Sequence, residues 1–196
     1  MNTIKNKKND IRAQYREKRL QLSPDVKKSL DAAICRAFVA LATYRFNDTL
    51  LAYYPLEHEI DCRPIIEDAL ARGKKVALPR CTEKNGIMEF HYVKSLDNLE
   101  KGIFGLMEPS PILETYSWSE KSSAIMIVPG LVYDTTGCRI GYGKGYYDRY
   151  SGIYKGIKAG LCYSNFISPY RLPRGRFDMA VDFIVTEKGV RLVEKG

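Results

Sequence analysis

The chain has 196 residues, of which 45% are apolar and 28% charged, and its formal net charge is +8. This length and composition suit a single globular domain with a substantial core. The lack of an apolar run of about 18 residues argues against a membrane span. The basic start of the chain is not followed by an apolar stretch, so we expect no secretory signal and a cytoplasmic location.

Hydrophobic spacing and turn residues predict the elements in chain order. They are helices 10–20 and 24–41, strand 49–54, helix 61–72, strands 75–78, 88–93 and 124–128, helix 146–150, and strands 157–163 and 183–186. The second helix has the clearest start, because Ser23 supplies a capping hydroxyl and Pro24 needs no backbone donor in the first turn. The strand at 88–93 alternates, which predicts one solvated face.

The run AIMIV at 124–128 is apolar throughout, which is typical of a parallel strand covered on both faces. Strands that alternate with helices predict an α/β fold, a three-layer αβα domain with a mainly parallel central sheet that spans residues 1–196. Ligands of such sheets bind beyond the carboxyl ends of the strands. The candidate site loops are therefore those that follow Tyr54, Leu78, Val128 and Tyr163.

The five cysteines are widely spaced and never form a CxxC pair, and only two histidines are present. Disulfides, a zinc centre and a histidine-rich metal site are therefore not expected. The positive net charge favours an anionic partner, such as a phosphate, a carboxylate or a nucleic acid.

The segment GYGKGYYDRY (141–150) alternates three glycines with Tyr142 and Lys144. Glycine exposes backbone N–H groups and lets a ligand approach closely, so such a turn can cradle an oxyanion. Lys144 would add a movable positive charge, and Asp148 could hold magnesium together with phosphate oxygens. The segment matches neither the Walker A loop nor the G-x-G-x-x-G dinucleotide fingerprint. A purely structural turn is the alternative.

This glycine loop lies within a longer stretch, PGLVYDTTGCRIGYGKGYYDRY (129–150), that closely resembles the signature of the 5-formyltetrahydrofolate cyclo-ligase family. The matching residues are Pro129, Gly130, Asp134, Gly137, Arg139, Gly141, Gly143, Gly145, Tyr146, Tyr147 and Asp148. Three further segments agree with the family: Lys8 with Arg12, Tyr54 with Glu59, and DMAVD at 178–182. Ser151 departs from it, since the family often has leucine there.

The resemblance implies an enzyme that converts 5-formyltetrahydrofolate to 5,10-methenyltetrahydrofolate while ATP becomes ADP and phosphate, with Mg²⁺. The family's route phosphorylates the formyl oxygen, the nitrogen at position 10 then attacks, and phosphate leaves. Lys144 and Arg139 would act as catalytic residues by stabilising the transferring phosphoryl group. Asp148 and Asp178 would hold Mg²⁺, with Asp182 as the closest competitor of Asp178.

The resemblance also implies the ligand contacts. ATP would be bound by Lys8, Asn9, Asp10, Ile11 and Arg12 and by Arg139, Ile140, Gly141, Tyr142, Gly143, Lys144, Gly145, Tyr146 and Tyr147. The folate would be bound by Tyr54 and Glu59 and by Tyr142, Gly143, Lys144, Gly145 and Tyr146. We expect a monomer with no nucleic-acid or membrane partner.

Two other functional classes fit parts of the sequence. Arg12, Arg16 and Arg19 form a basic stripe at helical spacing, which would suit a basic α/β nucleic-acid-binding module, although no RNA-binding motif accompanies it. A sugar-phosphate isomerase or transferase on a similar fold would need no ATP. Glu59 also has a structural alternative, because it could cap the helix that begins near Asp61.

Overall fold

The computed structural model describes residues 3–82, 86–103 and 105–194. Its helices are α1 (Ile4–Leu20), α2 (Pro24–Val39), α3 (Ala42–Phe46), α4 (Arg63–Ala71) and α5 (Tyr146–Tyr150), and a 3₁₀ turn covers Ser164–Phe166. Its strands are β1 (Thr49–Leu51), β2 (Lys75–Cys81), β3 (Met88–Val93), β4 (Glu100–Lys101), β5 (Met107–Glu108), β6 (Ala124–Val128), β7 (Val132–Asp134), β8 (Arg139–Ile140), β9 (Ile157–Leu161), β10 (Ile167–Ser168), β11 (Phe183–Thr186) and β12 (Gly189–Leu192). Within these ranges, every helix is too short or too polar to span a membrane.

Capping residues explain where the two long helices begin. The Thr3 side chain accepts a hydrogen bond from the Asn6 amide, so α1 starts six residues before the predicted segment 10–20. Ser23 caps α2 as predicted, although the helix ends at Val39. The other changed bounds are as follows: helix 61–72 is Arg63–Ala71, strand 49–54 is Thr49–Leu51, strand 75–78 is Lys75–Cys81, and strand 157–163 is Ile157–Leu161.

A seven-stranded sheet in the order β12-β11-β9-β6-β1-β2-β3 forms the centre of the domain. The five inner strands run parallel, and β3 and β12 pair antiparallel at the edges. Every residue of β1, β6 and β11 is buried, as expected of parallel strands covered on both faces. The predicted α/β fold with a mainly parallel central sheet is thus confirmed.

The prediction of a solvated face on β3 was only partly correct. Glu89 is exposed, but His91 is buried and its Nδ1 lies 2.9 Å from the Leu113 carbonyl oxygen. The reason is that residues 113–116 run along the outer edge of β3, where the Tyr116 amide donates to the carbonyl of Phe90. This covering segment also protects the edge of the sheet from pairing with another chain.

A smaller sheet, β10-β7-β8, fixes the position of α1. Ile11 and Tyr15 of this helix pack on a second apolar cluster, which consists of Val132, Cys138, Ile140 and Leu172. Because Ile11 and Tyr15 lie one turn apart on one face, the neighbouring face with Lys8 and Arg12 turns toward the glycine loop. The first helix and the glycine loop therefore share one surface.

The strand order creates a crevice at the middle of the sheet. The chain passes from β1 to β2 on one side and returns later to β6 on the other side of β1. The carboxyl ends of β1 and β6 therefore border a topological switch point, which is where open α/β sheets bind their ligands.

Candidate active site

A cavity of about 580 Å³, the main cavity, opens at this switch point. Its volume lies in the range of small-molecule sites. Three of the four predicted loop regions contribute to it, namely those after Tyr54, Leu78 and Val128. The residues that line the cavity are Lys8, Arg12, Tyr53, Tyr54, Leu56, Glu59, Pro79, Cys81, Met88, Leu106, Met107, Glu108, Pro129, residues 139–148, and Asp178. The loop after Tyr163 does not line it, and the Tyr163 hydroxyl instead donates to Asp31 at 2.6 Å.

A second depression of about 730 Å³, the basic cavity, adjoins the first along α1. Four cationic side chains of this helix line it, namely Lys5, Lys8, Arg12 and Arg16. The two cavities share Lys8, Arg12, Tyr142 and Gly143. The shared wall therefore carries two cations, Lys8 and Arg12, at the junction of the two cavities.

The glycine loop adopts a conformation that only glycine tolerates at two positions. Gly143 and Gly145 have φ of 96° and 72°, in the left-handed region. A side chain at Gly143 would also place its Cβ 3.1 Å from Cζ of Arg12. Arg12 holds the loop from α1, because its Nε donates to the Gly141 carbonyl at 2.9 Å. Lys144 is exposed between the two glycines.

Two ion pairs lie at the end of the glycine loop. Nη1 of Arg139 donates to Oδ1 of Asp148 at 2.7 Å, and Lys8 pairs with Asp178. Burial would raise the pKa of Asp148, but the attraction and hydrogen bond of Arg139 and the Met179 amide outweigh it, so the pKa lies below its usual value. Asp148 is therefore ionised at neutral pH.

The carboxylates of Asp148 and Asp178 line the same cavity and fit a magnesium ion. The described side-chain contacts of Asp148 use Oδ1, and those of Asp178 use Oδ2, so each has a second oxygen outside them. The described residues contain no group of three or more metal-ligating side chains. An ion held by two carboxylates would complete its shell with phosphate oxygens and water. Asp182 lies elsewhere and accepts from the Lys158 amide at 2.7 Å.

Glu59 lines another part of the main cavity and is only 7% exposed. Its Oε2 accepts from the Leu56 amide at 2.9 Å, within a turn that precedes α4, so it does not cap that helix. Burial raises the pKa of Glu59, although the Leu56 amide and the nearby Arg19 oppose this shift. The Tyr142 hydroxyl interacts electrostatically with Glu59, but no hydrogen bond of normal geometry joins them.

Tyr142 connects these two parts of the main cavity. Its ring packs edge-on against His58 with the centroids 5.6 Å apart, and the Arg16 guanidinium lies 5.5 Å from its centroid. An aromatic surface between a cation and a buried carboxylate suits a flat heterocycle with N–H groups.

The structure separates the remaining predicted residues into two groups. Tyr54, Ile140, Tyr146 and Tyr147 line the main cavity, and Asn9 lines the basic cavity. Asp10 and Ile11 line neither cavity, because Asp10 is exposed and Ile11 packs on the second apolar cluster. Of the predicted ATP-binding residues 8–12, Lys8, Asn9 and Arg12 therefore line the cavities.

Sequence reasoning missed the role of Arg19, which is 5% exposed. Its guanidinium donates to the carbonyl of His58 at 3.1 Å and to that of Gly130 at 2.6 Å, so it ties the loop after β1 to the loop after β6. Burial of Arg19 also interrupts the basic stripe that the nucleic-acid alternative required. Its position seven residues after Arg12, on the same helix face, is the signal that could have revealed it.

Comparisons with known proteins identify the family of the chain. The model of the 5-formyltetrahydrofolate cyclo-ligase family matches residues 4–187. A probable 5-formyltetrahydrofolate cyclo-ligase of Schizosaccharomyces pombe is 28% identical over 94% of this chain and 98% of its own length. The 5-formyltetrahydrofolate cyclo-ligase of Saccharomyces cerevisiae is 31% identical over 67% of this chain and 71% of its own. The NMR structure of the 5,10-methenyltetrahydrofolate synthetase of Aquifex aeolicus superposes with a TM-score of 0.82 at 32% identity, covering 96% of this chain and 94% of the other.

Proposed function

Because the chain belongs to the 5-formyltetrahydrofolate cyclo-ligase family, we propose that it converts 5-formyltetrahydrofolate to 5,10-methenyltetrahydrofolate. The reaction consumes ATP and releases ADP and phosphate. In the first step the γ-phosphoryl group of ATP passes to the formyl oxygen. In the second step N10 attacks the formyl carbon and its proton passes to solvent water or to the phosphate, and the carbon–oxygen bond breaks as phosphate leaves.

The observation that carries this proposal is that one cavity at the switch point has two unlike parts in its wall. One part is a cationic glycine loop, and the other holds a buried carboxylate. A phosphate-binding wall and a wall that accepts N–H groups are what a nucleotide and a pterin require when they react with each other. The adjoining basic cavity offers space and positive charge for the anionic parts of both ligands.

On the phosphate wall, the glycine loop supplies backbone N–H groups, and Lys144 supplies a charge that can follow the transferring group. Phosphoryl transfer depends mainly on positioning and charge neutralisation, so this wall needs no covalent nucleophile. Arg139 holds Asp148 and also donates to the Pro129 carbonyl at 3.2 Å, which fixes the acidic end of the loop relative to β6.

Asp148 and Asp178 would hold Mg²⁺ on this wall through Oδ2 of Asp148 and Oδ1 of Asp178, the oxygens that their described side-chain contacts do not use. When bound, the ion would neutralise charge on the phosphate oxygens of ATP. Lys8 would then shift its pairing from Asp178 toward a phosphate, because an ammonium is attracted to the more negative neighbour.

On the other wall, Glu59 would accept hydrogen bonds from the amino and ring N–H groups of the pterin. A carboxylate accepts two parallel N–H bonds, which fixes the plane of the heterocycle. Tyr54 and Tyr142 would then contact the ring faces.

The experiment is the absorbance of 5,10-methenyltetrahydrofolate formed from 5-formyltetrahydrofolate, with ATP and Mg²⁺ present together, each alone, or neither. We expect product only when both are present, together with one ADP for each methenyl product. Product that forms equally well without ATP, or no product at all, would contradict the proposal. Lys155→Ala is the matched control for Lys144→Ala, because both lysines are exposed and Lys155 donates to the Ser151 carbonyl, away from the residues that line the main cavity.

A further inference from the structure

Arg149 is exposed, yet its guanidinium is held on three sides. Nε donates to the carbonyl of Gly86 at 2.7 Å, and Nη2 donates to the carbonyl of Lys144 at 2.6 Å. The guanidinium also lies 5.5 Å from the ring centroid of Tyr146. An exposed arginine on a short helix would ordinarily point into solvent, so these contacts indicate a specific role.

Two glycines make room for this guanidinium. A Cβ at Gly86 would lie 2.1 Å from Nη2 of Arg149, and a Cβ at Gly145 would lie 2.9 Å from Nη1. Both glycines also have left-handed φ values, 74° and 72°. The guanidinium therefore joins two positions far apart in the chain, Gly86 just before β3 and the glycine loop. We call this set of contacts the arginine clamp.

The clamp fixes the orientation of the peptide that follows Lys144. In a trans peptide the carbonyl and the N–H point in opposite directions. Because the Lys144 carbonyl is bonded to Arg149, the N–H of Gly145 is turned away from the clamp. The backbone N–H groups of this loop are the groups that would bind phosphate, so their orientation decides whether the loop is ready for ATP.

We propose that Arg149 is a positioning residue for ATP, which keeps the glycine loop in its phosphate-binding conformation by bonding it to Gly86. The inference rests on the proposed function, since it concerns the same nucleotide. The β2–β3 hairpin lines the main cavity through Cys81 and Met88, so the clamp also connects that wall to the loop. Arg149 itself need not touch the nucleotide for this role.

The test breaks the clamp from both sides. Arg149→Ala removes the guanidinium, and Gly86→Ala pushes it away from the hairpin without changing the glycine loop. We expect each variant to raise the KM for ATP about tenfold, as for the loss of a charge-assisted hydrogen bond. The kcat should change less than about threefold, and the KM for the folate less than about twofold. The double variant should resemble Arg149→Ala alone, because once the guanidinium is removed Gly86→Ala has no further contact of the clamp to break.

Three comparisons make the result unambiguous. Arg149→Lys should recover part of the ATP affinity, because a lysine can bond one of the two carbonyls, whereas Lys155→Ala should behave like the wild type. A calorimetric titration with ADP reports the same affinity without turnover. A wild-type KM for ATP in Arg149→Ala and Arg149→Lys, or additive effects of the two alanine substitutions, would overturn the inference. Wild-type protein without cyclo-ligase activity would instead overturn the proposed function, whatever the ADP titration shows.

Discussion

Glu59 and Asp148 line different parts of the same cavity, and their surroundings shift their pKa values in opposite directions. Glu59 is buried, and burial raises its pKa against the pull of the Leu56 amide. Asp148 is half-buried, but its ion pair with Arg139 keeps its pKa low. The first carboxylate has no direct cationic partner in the described part of the chain, whereas the second has one.

This contrast indicates what each wall is prepared to bind. A buried carboxylate without a cation gains most from a ligand that brings several N–H donors, because these donors replace the lost water. A carboxylate that is already paired with a cation, beside a glycine loop, suits instead a divalent ion together with the phosphate that the ion would bind. The sheet places both at one switch point, so a heterocycle and a phosphoryl group can meet there.

Arg19 is the buried residue that both walls share, and its loss should have the largest effect on stability. Arg19→Ala leaves the carbonyls of His58 and Gly130 without their buried donor, and we expect the free energy of unfolding to fall by about 3 kcal/mol. Urea unfolding measures this. Arg16→Ala, on the same helix but exposed, should cost less than about 0.5 kcal/mol. Equal stability of the two variants would show that Arg19 does not hold the walls together.

Lys144→Ala should break the phosphate wall alone. We expect turnover to fall about 10²-fold, as for loss of a group that stabilises charge in the transition state. The side chain is exposed, so the melting temperature should stay close to that of the wild type. Steady-state kinetics and thermal unfolding check both parts. Near-normal turnover would remove Lys144 from the mechanism.

Asp148→Asn should raise the magnesium requirement by on the order of tenfold, because the neutral amide lacks the negative charge with which the carboxylate would hold the cation. Asp178→Asn should act in the same direction but more weakly, and added Mg²⁺ should restore part of the activity of both. Asp182→Asn is the control, because Asp182 bonds the start of β9. Unchanged magnesium dependence in Asp148→Asn together with a loss in Asp182→Asn would mean that the ligands are wrongly assigned.

The low pKa of Asp148 has a consequence for stability. A carboxylate whose pKa in the folded state lies below its ordinary value of 3.8 stabilises the fold above that value, and the contribution is lost as the pH falls through the lowered pKa. The difference in unfolding free energy between wild type and Asp148→Asn should therefore shrink in acid. Denaturant unfolding at pH 7 and pH 3 measures it, and a constant difference would argue against the ion pair.

Glu59→Gln should have the smallest structural effect and the opposite dependence on pH. Because the pKa of Glu59 is raised in the folded state, its contribution is present below the ordinary value of 4.5 and lost as the pH rises through the raised pKa. The uncharged variant should thus gain stability relative to the wild type between pH 4.5 and neutral pH, while the KM for the folate rises about tenfold. A stability difference that does not change with pH would contradict the assignment.

The parts of the site that are contiguous in sequence could be predicted, and the parts that depend on long-range contacts could not. The glycine loop and Asp148 lie within one segment of ten residues. By contrast, Arg19 and Arg149 act through backbone carbonyls far away in the chain, which no side-chain pattern reveals. Asp178 and Asp182 look alike in sequence, and only the fold turns Asp178 into the cavity.

The same distinction applies to the fold. Long elements with clear periodicity, such as the helix that begins after Ser23 and the strand at 124–128, were predicted because local pattern and burial agree. Strands of two to four residues, such as β7, β8 and β12, show too little pattern to be recognised. Ile11 shares a helix face with Tyr15, which indicates a packing role. It was assigned to the ATP site instead because it lies between Lys8 and Arg12, which match the family.

The division of the main cavity into a folate wall and a phosphate wall is tested most directly by calorimetric titration of two variants with two ligands. The variants are Glu59→Gln and Lys144→Ala, and the ligands are 5-formyltetrahydrofolate and a non-hydrolysable ATP analogue with Mg²⁺. Glu59→Gln should lose about tenfold in affinity for the folate and less than twofold for the nucleotide, and Lys144→Ala should show the reverse order of losses. Equal losses of both ligands in either variant would contradict the division.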